Sequence, residues 1–272
     1  MGQASAVPIL MYHHVSPSPG LVTVSPETFH AQMAWLADRG YRSIGLAELA
    51  AFLQGQPLPK KSVVISFDDG YLDNYIHAHP VLKAFGFKAV LFLITGWLGD
   101  GASRPQGETP DHRQCMALAK AGRAKEMMLN WCEVAEMARA GTFEFHSHTH
   151  THTRWDKTVD DPVQRRALLR QDLEASRTCL QARLGEVSDH LCWPQGYYDD
   201  DYVAVARQTG FRYLYTVEKG TVLHNSEPLR LPRIVVKDRA GNWLGSRLGI
   251  YSRPYLAAFY VATQNMFKKN TR

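Results

Sequence analysis

The chain has 272 residues, of which 45% are hydrophobic and 21% are charged, a balance typical of a globular protein. This composition excludes collagen-like, coiled-coil and disordered proteins, and no apolar stretch of the sequence is long enough to span a bilayer. The four cysteines form no CxxC pair, which argues against a thiolate zinc site and a disulfide framework. The N-terminus shows no signal-peptide pattern, so we expect a cytoplasmic protein, or a periplasmic one if a signal peptide has been removed.

The charge is distributed unevenly along the chain. Nine Lys or Arg residues and one acid occur from Arg230 to Arg272, so these 43 residues carry a formal charge of +8 and the remainder carries −3. We therefore separate a basic C-terminal tail, residues 246–272, from a main domain of residues 1–245. The basic, aromatic tail predicts peripheral contact with the inner face of an anionic membrane, and a solvated tail is the alternative. No nucleic-acid recognition motif accompanies it, so we expect no nucleic-acid partner.

Apolar, β-branched runs alternate with helical patterns along the main domain. In chain order, we predict a strand at 7–12, helices at 26–39 and 46–53, a strand at 62–67, a helix at 74–85, a strand at 88–94, a helix at 131–139, a strand at 142–145, a helix at 162–184, a strand at 191–193, a helix at 200–208, and strands at 212–216 and 234–236. Strands separated by such helices indicate βα units and a parallel sheet. The number of repeats favours a single α/β barrel domain, with a doubly wound open sheet as the alternative. Residues 98–125 show no clear period and are predicted to form an irregular insert loop.

Polar side chains collect directly after the predicted strands. They lie in four segments, Tyr12-His13-His14, Asp68-Asp69-Gly70, the histidines at 146, 148, 150 and 152, and Pro194-Gln195-Gly196. In a parallel barrel these points share one face, where such folds build their active sites. One Asp and two His residues four positions apart would supply three metal ligands and leave positions open for water and substrate. The spacing alone allows either His148 with His152 or His146 with His150.

The two adjacent carboxylates cannot play the same role. Asp68 and Asp69 follow the end of a strand, where neighbouring side chains point in different directions. One of them can therefore bind a metal ion while the other stays free as a base towards an attacking water. The alternative is a helix cap beside a surface aspartate.

Several motifs together resemble the polysaccharide deacetylases, the NodB-homology family or carbohydrate esterase family 4. SFDDG resembles the TFDDG motif of that family, and EFHSHTHTH resembles its H-[ST]-x-x-H motif. Over residues 8–237 the chain is most similar to the subgroup that contains the poly-N-acetylglucosamine deacetylases. The segments that carry this likeness are MYHHV, CWPQG and RLPRI.

The resemblance implies a distorted (β/α)7 barrel of the NodB-homology type. It also implies one divalent metal ion, with zinc as the first candidate and cobalt, nickel or iron as alternatives. It implies removal of the N-acetyl group from an N-acetylhexosamine of a glycan or glycolipid: a polysaccharide, a lipopolysaccharide core or a lipid-linked intermediate. Carried over by position, the metal ligands are Asp69, His148 and His152, the general base is Asp68, the general acid is His13, and the oxyanion donor is the main-chain N–H of Gln195.

The chain departs from the family pattern at the motif R-x-P. Cys192 stands where an Arg that supports the catalytic Asp is widespread, and Arg233 is the candidate replacement. His224 is a rival for the role of the acid. Trp193 and Tyr197 are predicted to contact the sugar.

The functional alternatives are an O-acetyl esterase or deformylase on the same site, or a catalytically silent carbohydrate-binding module.

Overall fold

The computed structural model describes the backbone of residues 2–269 and the side chains of residues 2–266. The strands in chain order are β1 (Ile9–Tyr12), β2 (His14–Val15), β3 (Thr23–Val24), β4 (Arg42–Ser43), β5 (Ser62–Phe67), β6 (Ala89–Leu93), β7 (Phe143–Ser147), β8 (His190–Cys192), β9 (Tyr213–Tyr215) and β10 (Ile234–Val235). The α-helices are α1 (Pro26–Asp38), α2 (Leu46–Leu53), α3 (His79–Phe85), α4 (His112–Lys120), α5 (Trp131–Arg139), α6 (Trp155–Thr158), α7 (Pro162–Leu184), α8 (Asp200–Gln208), α9 (Gly241–Tyr251) and α10 (Pro254–Lys269). A π-helical segment, Asn74–Ala78, leads into α3, and short 3-10 helices lie at Ala124–Glu126 and Pro194–Gly196.

The central sheet is parallel and curls into a distorted barrel. Its strands follow the order β10-β1-β5-β6-β7-β8-β9, and β4 adds to β5. The two ends of this order approach each other where Tyr215 forms a parallel bridge with Leu231 and the Thr216 N–H donates to the Leu231 carbonyl at 3.0 Å. The predicted barrel fold is confirmed, and the alternative fold, a doubly wound open sheet, is excluded.

Local signals explain where the helices begin and end. The Ser25 side chain caps α1 by accepting a hydrogen bond from the Thr28 N–H, and Pro26 occupies the first helical position. Asp161 caps α7 in the same way, and Gly185 ends it with a left-handed φ of 78°. These caps account for the agreement between predicted and observed boundaries of both helices.

The core has two parts because neighbouring strand residues point to opposite faces of the sheet. Leu10 belongs to a cluster with Phe29 of α1 and Val134 of α5, on the helix-covered outer face. Its neighbour Ile9 belongs to a second cluster that includes Leu49 of α2. Both faces of the sheet are therefore covered, which explains the continuous apolar runs of its strands.

The prediction of an irregular loop over 98–125 is wrong for the nine residues of α4. Asp111 accepts a hydrogen bond from the Gln114 N–H, and the Gln114 side chain accepts one from the Asp111 N–H, both at 2.8 Å. This capping box starts a helix that buries little besides Cys115, so its sequence lacks an apolar period.

The predicted division at residue 245 lies within α9, whose Leu244 and Leu248 are fully buried against the main domain. The helix α10 follows and buries Ala257. Residues 270–272 of the predicted tail lie outside the described residues. Within residues 2–269, no helix combines the length and apolar character needed to cross a membrane.

Candidate active site

The register of the parallel strands brings the polar segments to one edge of the barrel. The last residues of β1 and β5, Tyr12 and Phe67, are partners, so His13 and Asp68 leave the sheet side by side. Ser147, the last residue of β7, is in register with both β6 and β8. The chain therefore delivers the segments after four strands to the same place.

The structure brings Asp69, His148 and His152 together. The Nε2 atoms of His148 and His152 lie 3.3 Å and 3.6 Å from Asp69 Oδ1, and all three candidate ligand atoms lie within 4.8 Å of one another. Asp69 and His152 have φ angles of 74° and 59°, a region that costs energy for residues other than glycine. Such strain is typical of functional sites, where the surroundings hold a residue in one orientation.

The hydrogen bonds around this group prepare it to bind a cation. The Nδ1–H of His148 donates to the Cys192 carbonyl at 2.8 Å, so its Nε2 atom faces Asp69. Burial lowers the pKa of His152 to about 4, which leaves its imidazole neutral at neutral pH. Burial also raises the pKa of Asp69, but the hydrogen bond from His148 and the nearby histidine charges outweigh it, so that pKa lies below its usual value. Burial lowers the pKa of His148, but its contacts with Cys192 and Asp69 outweigh this effect and hold that pKa well above its usual value. One carboxylate and two imidazoles, with the Nε2 proton of His148 displaced by the ion, form a donor set that suits zinc and related divalent ions.

The other two histidines of the same run have different partners. His146 Nδ1 lies 2.7 Å from Ser188 Oγ, and His150 Nδ1 lies 2.9 Å from Thr95 Oγ1. Among residues 2–266, the groups able to hold a metal ion include neither of them. The alternative pair left open by the spacing is therefore not the one that the fold assembles.

A second candidate group, Asp68, His148 and Cys192, is a poorer ligand set. Burial raises the pKa of the Cys192 thiol, which keeps it protonated, and metal ions bind the thiolate. Asp68 is moreover engaged by a buried arginine.

Asp68 forms a bidentate ion pair with Arg233. The two guanidinium nitrogens Nη1 and Nη2 donate to Asp68 Oδ1 and Oδ2, each at 2.7 Å, and Arg233 is completely buried. Arg233 Nε donates to the Thr216 carbonyl at 2.9 Å, and Nη2 lies 3.0 Å from Cys192 Sγ. Burial raises the pKa of Asp68, but the charge and hydrogen bonds of Arg233 outweigh it, so the carboxylate stays ionised. Arg233 thus contacts the carboxylate from the segment just before β10, and not from the Cys192 position at the end of β8.

His13 faces the same carboxylate. Its Nε2 lies 3.7 Å from Asp68 Oδ2, and its side chain remains 19% exposed, so a bound substrate has access to it. Burial lowers the pKa of His13 below its usual value, because the charges of Asp68 and Asp69 offset only part of the burial effect. The neighbouring His14 points elsewhere, because its Nδ1 bonds Asp73 Oδ2 at 2.6 Å.

His224 lies at the opposite end of the barrel. Its Nδ1–H donates to the Phe52 carbonyl at 2.7 Å. The nearby Val222 pairs with Val7, which precedes β1. The site follows the carboxyl ends of the strands, so this geometry removes His224 as a rival for the acid.

The segment after β8 contributes less than predicted through its side chains. Trp193 is only 1% exposed and packs against Tyr202, so the prediction that it contacts a sugar is wrong. Gln195 is exposed and has a φ of 54°. Tyr197 is partly exposed, and its hydroxyl donates to Asp199 Oδ2 at 3.1 Å.

Two residues that the sequence reasoning missed organise the site. The Arg154 guanidinium lies 4.0 Å from the centre of the Tyr197 ring, and its Nη1 donates to Gln195 Oε1 at 3.3 Å. Asp172 of α7 accepts hydrogen bonds from the His150 N–H, the Thr151 N–H and hydroxyl, and the Trp155 indole N–H, at 2.8–3.0 Å. An aspartate within the buried stripe of α7 is a sequence signal that identifies it, whereas Arg154 carries no comparable signal.

A parallel barrel with an Asp-His-His group and a second aspartate at the carboxyl ends of its strands has the arrangement of residues that a metal-assisted hydrolase requires. The family model described as polysaccharide deacetylase matches residues 55–214, and the chain belongs to this family of enzymes. The predicted recognition and enzyme class are confirmed.

Relatives and solved structures agree with this assignment. The chain is 28% identical over 220 residues to the poly-beta-1,6-N-acetyl-D-glucosamine N-deacetylase of Staphylococcus aureus (strain MSSA476), covering 80% of this chain and 69% of that one. The fold is similar to that of the Streptococcus pyogenes deacetylase PplD in complex with acetate, with a TM-score of 0.73, 24% identity, and coverage of 92% and 100%. It is also similar to IcaB from Ammonifex degensii, with a TM-score of 0.72, 25% identity, and coverage of 90% and 97%.

Proposed function

We propose that this enzyme removes the N-acetyl group from an N-acetylhexosamine residue of a glycan or glycolipid with the help of one divalent metal ion. Zinc is the first candidate for this ion. The observation that carries the proposal is the convergence of Asp69, His148 and His152 beside the buried Asp68–Arg233 ion pair. Asp69, which would bind the metal ion, contacts His148 and His152, whereas Asp68, which would act as the base, pairs with Arg233. The two carboxylates can therefore take different roles.

Asp69, His148 and His152 would hold the ion, and their donor atoms fit it. The chemistry that a divalent ion supplies when bound is Lewis-acid polarisation of the acyl oxygen and of the attacking water. The hydrogen bond from His148 to the Cys192 carbonyl fixes the ring so that Nε2 faces the site. The intact group also argues against a silent carbohydrate-binding module.

Asp68 acts as the general base and takes a proton from the attacking water. Arg233 holds both of its oxygens, so the carboxylate keeps one orientation while its remaining lone pairs accept the proton. The Gln195 main-chain N–H is our candidate donor to the developing oxyanion. One such donor typically contributes about 3–4 kcal/mol to the stabilisation of the transition state.

His13 acts as the general acid and protonates the departing amine. An amide leaves as a neutral amine only if its nitrogen is protonated, and a positioned acid typically contributes about 10²–10⁴-fold to the rate. His13 lies beside Asp68 and is partly exposed, so it can contact a leaving group on the open side of the site.

Mass spectrometry of the products tests the proposal. Because the staphylococcal relative is named for poly-beta-1,6-N-acetyl-D-glucosamine, oligomers of this sugar are the first substrate to use. We expect the zinc-loaded enzyme to produce glucosamine units and free acetate in equal amounts. An O-acetylated oligosaccharide and an N-formyl sugar serve as competing substrates. Preferential cleavage of either one would replace N-deacetylation by an esterase or deformylase activity.

A further inference from the structure

The outer face of α10 carries an exposed apolar stripe. Tyr255, Phe259 and Met266 are 91%, 71% and 67% exposed, and the exposed Ala258 and Ala262 lie between them. An α-helix has about 3.6 residues per turn, so these residues share one side of α10. Exposed apolar groups that cluster in this way mark an interaction site more often than scattered ones do.

The opposite side of α10 anchors the helix to the protein. Ala257 is 3% exposed, and Tyr260 and Val261 pack against the main core. Tyr260 also bonds Arg247 of α9 through its hydroxyl and contacts the ring of Tyr251 at a centroid distance of 5.9 Å. The helix therefore has a fixed inner face, and its apolar outer face has no role in the core.

The charged residues of the C-terminal sequence that contains this stripe all have one sign. From residue 239 to residue 272 the sequence contains six Lys or Arg residues and no Asp or Glu. Arg253 stands exposed just before α10, and Lys268 and Lys269 end it. An apolar helix face flanked by basic residues is the pattern of segments that lie in the interface of anionic membranes.

We propose that the outer face of α10 docks this protein on the surface of an anionic lipid bilayer. A second copy of the chain would bring the same positive charges to the stripe, and like charges oppose such a contact. Anionic lipid headgroups neutralise those charges while the headgroup boundary accepts the Tyr and Phe rings. This surface would place the enzyme where a lipid-linked glycan is presented, although the docking itself does not depend on the proposed reaction.

Vesicle co-sedimentation tests the proposal with the full-length protein. The probes are vesicles of phosphatidylcholine alone and of phosphatidylcholine mixed with phosphatidylglycerol. We expect pelleting with the anionic vesicles only, and less of it as salt is added. Replacing both aromatic residues, Tyr255→Ser with Phe259→Ser, should lower partitioning at least about tenfold. Neutralising Arg253 as Arg253→Gln should lower it about fivefold.

Val163→Ser is the matched control, because Val163 is 65% exposed on α7 and lies on another element. It should leave partitioning unchanged. Equal pelleting of the wild type and the double serine variant, or equal binding to neutral and anionic vesicles, would overturn the proposal. A dimer that dissociates in the double variant, without any vesicle binding, would assign the stripe to a second copy instead. Acetate release from a soluble oligomer should be the same in all these proteins, so failure of docking and failure of the proposed function are distinguishable.

Discussion

Removal of the Arg233 guanidinium by the substitution Arg233→Met should destabilise the protein strongly. Arg233 is fully buried, and it makes two 2.7 Å hydrogen bonds to Asp68 and one of 2.9 Å to the Thr216 carbonyl. Loss of one partner from a buried ion pair leaves an uncompensated charge, which typically costs about 3–5 kcal/mol. Arg233→Lys keeps the charge but cannot make the bidentate contact, so we expect a smaller loss of about 1–3 kcal/mol.

Urea unfolding followed by tryptophan fluorescence measures these free energies. The matched control is Arg230→Met, because Arg230 forms an exposed ion pair with Asp200 and should contribute less than about 1 kcal/mol. Turnover of the folded Arg233→Met protein should fall by about 10²–10⁴-fold, the usual contribution of a general base. If Arg233→Met unfolds at the same urea concentration as Arg230→Met and retains wild-type turnover, the assigned role of Arg233 is refuted.

Three further predictions concern the site. The variant His148→Ala should lose stoichiometric metal as measured by plasma mass spectrometry, whereas His150→Ala should retain it; the reverse result would shift the ligand register by two residues. The variant His13→Ala should lose about 10²–10⁴-fold in turnover with its metal retained, and His224→Ala should stay active; loss of activity in His224→Ala alone would contradict the placement of the acid. The variant Asp172→Ala should lower the free energy of unfolding by about 3 kcal/mol and weaken metal binding roughly 10–100-fold, since four donors lose their acceptor; Asp172→Asn should restore part of both, and unaltered metal affinity in the alanine variant would count against the positioning role.

Most of the barrel could be predicted from the sequence, because its strands are long apolar runs and its helices have clear caps. Ser25 before Pro26 and Gly185 after α7 are examples of such local signals. The helices α4, α6 and α9 and the two-residue strands β2, β3 and β4 were missed. Their stretches are too short, too polar or too rich in glycine to show a clear period.

The candidate site could be located from the sequence, but its internal arrangement could not. The spacing is the same for the pair His148 and His152 as for the pair His146 and His150. The motif resemblance selects the first pair, and the folded chain brings that pair together with Asp69. Arg233 lies 165 positions from Asp68, so no local pattern indicates their ion pair, and only the family resemblance made Arg233 a candidate. The burial of Trp193 likewise depends on how α7 and α8 pack, which the sequence around CWPQG does not show.

The central claim is that Asp68 activates the attacking water in an enzyme that deacetylates N-acetylhexosamines. The most direct test is acetate release from an N-acetylglucosamine oligomer by zinc-loaded wild-type protein and by the Asp68→Asn variant at equal metal content. The asparagine side chain is nearly isosteric but cannot take up the proton, so we predict acetate release by the wild type and a loss of about 10²–10⁴-fold in the variant. Equal release by the two proteins, or no release by the wild type, would contradict the account.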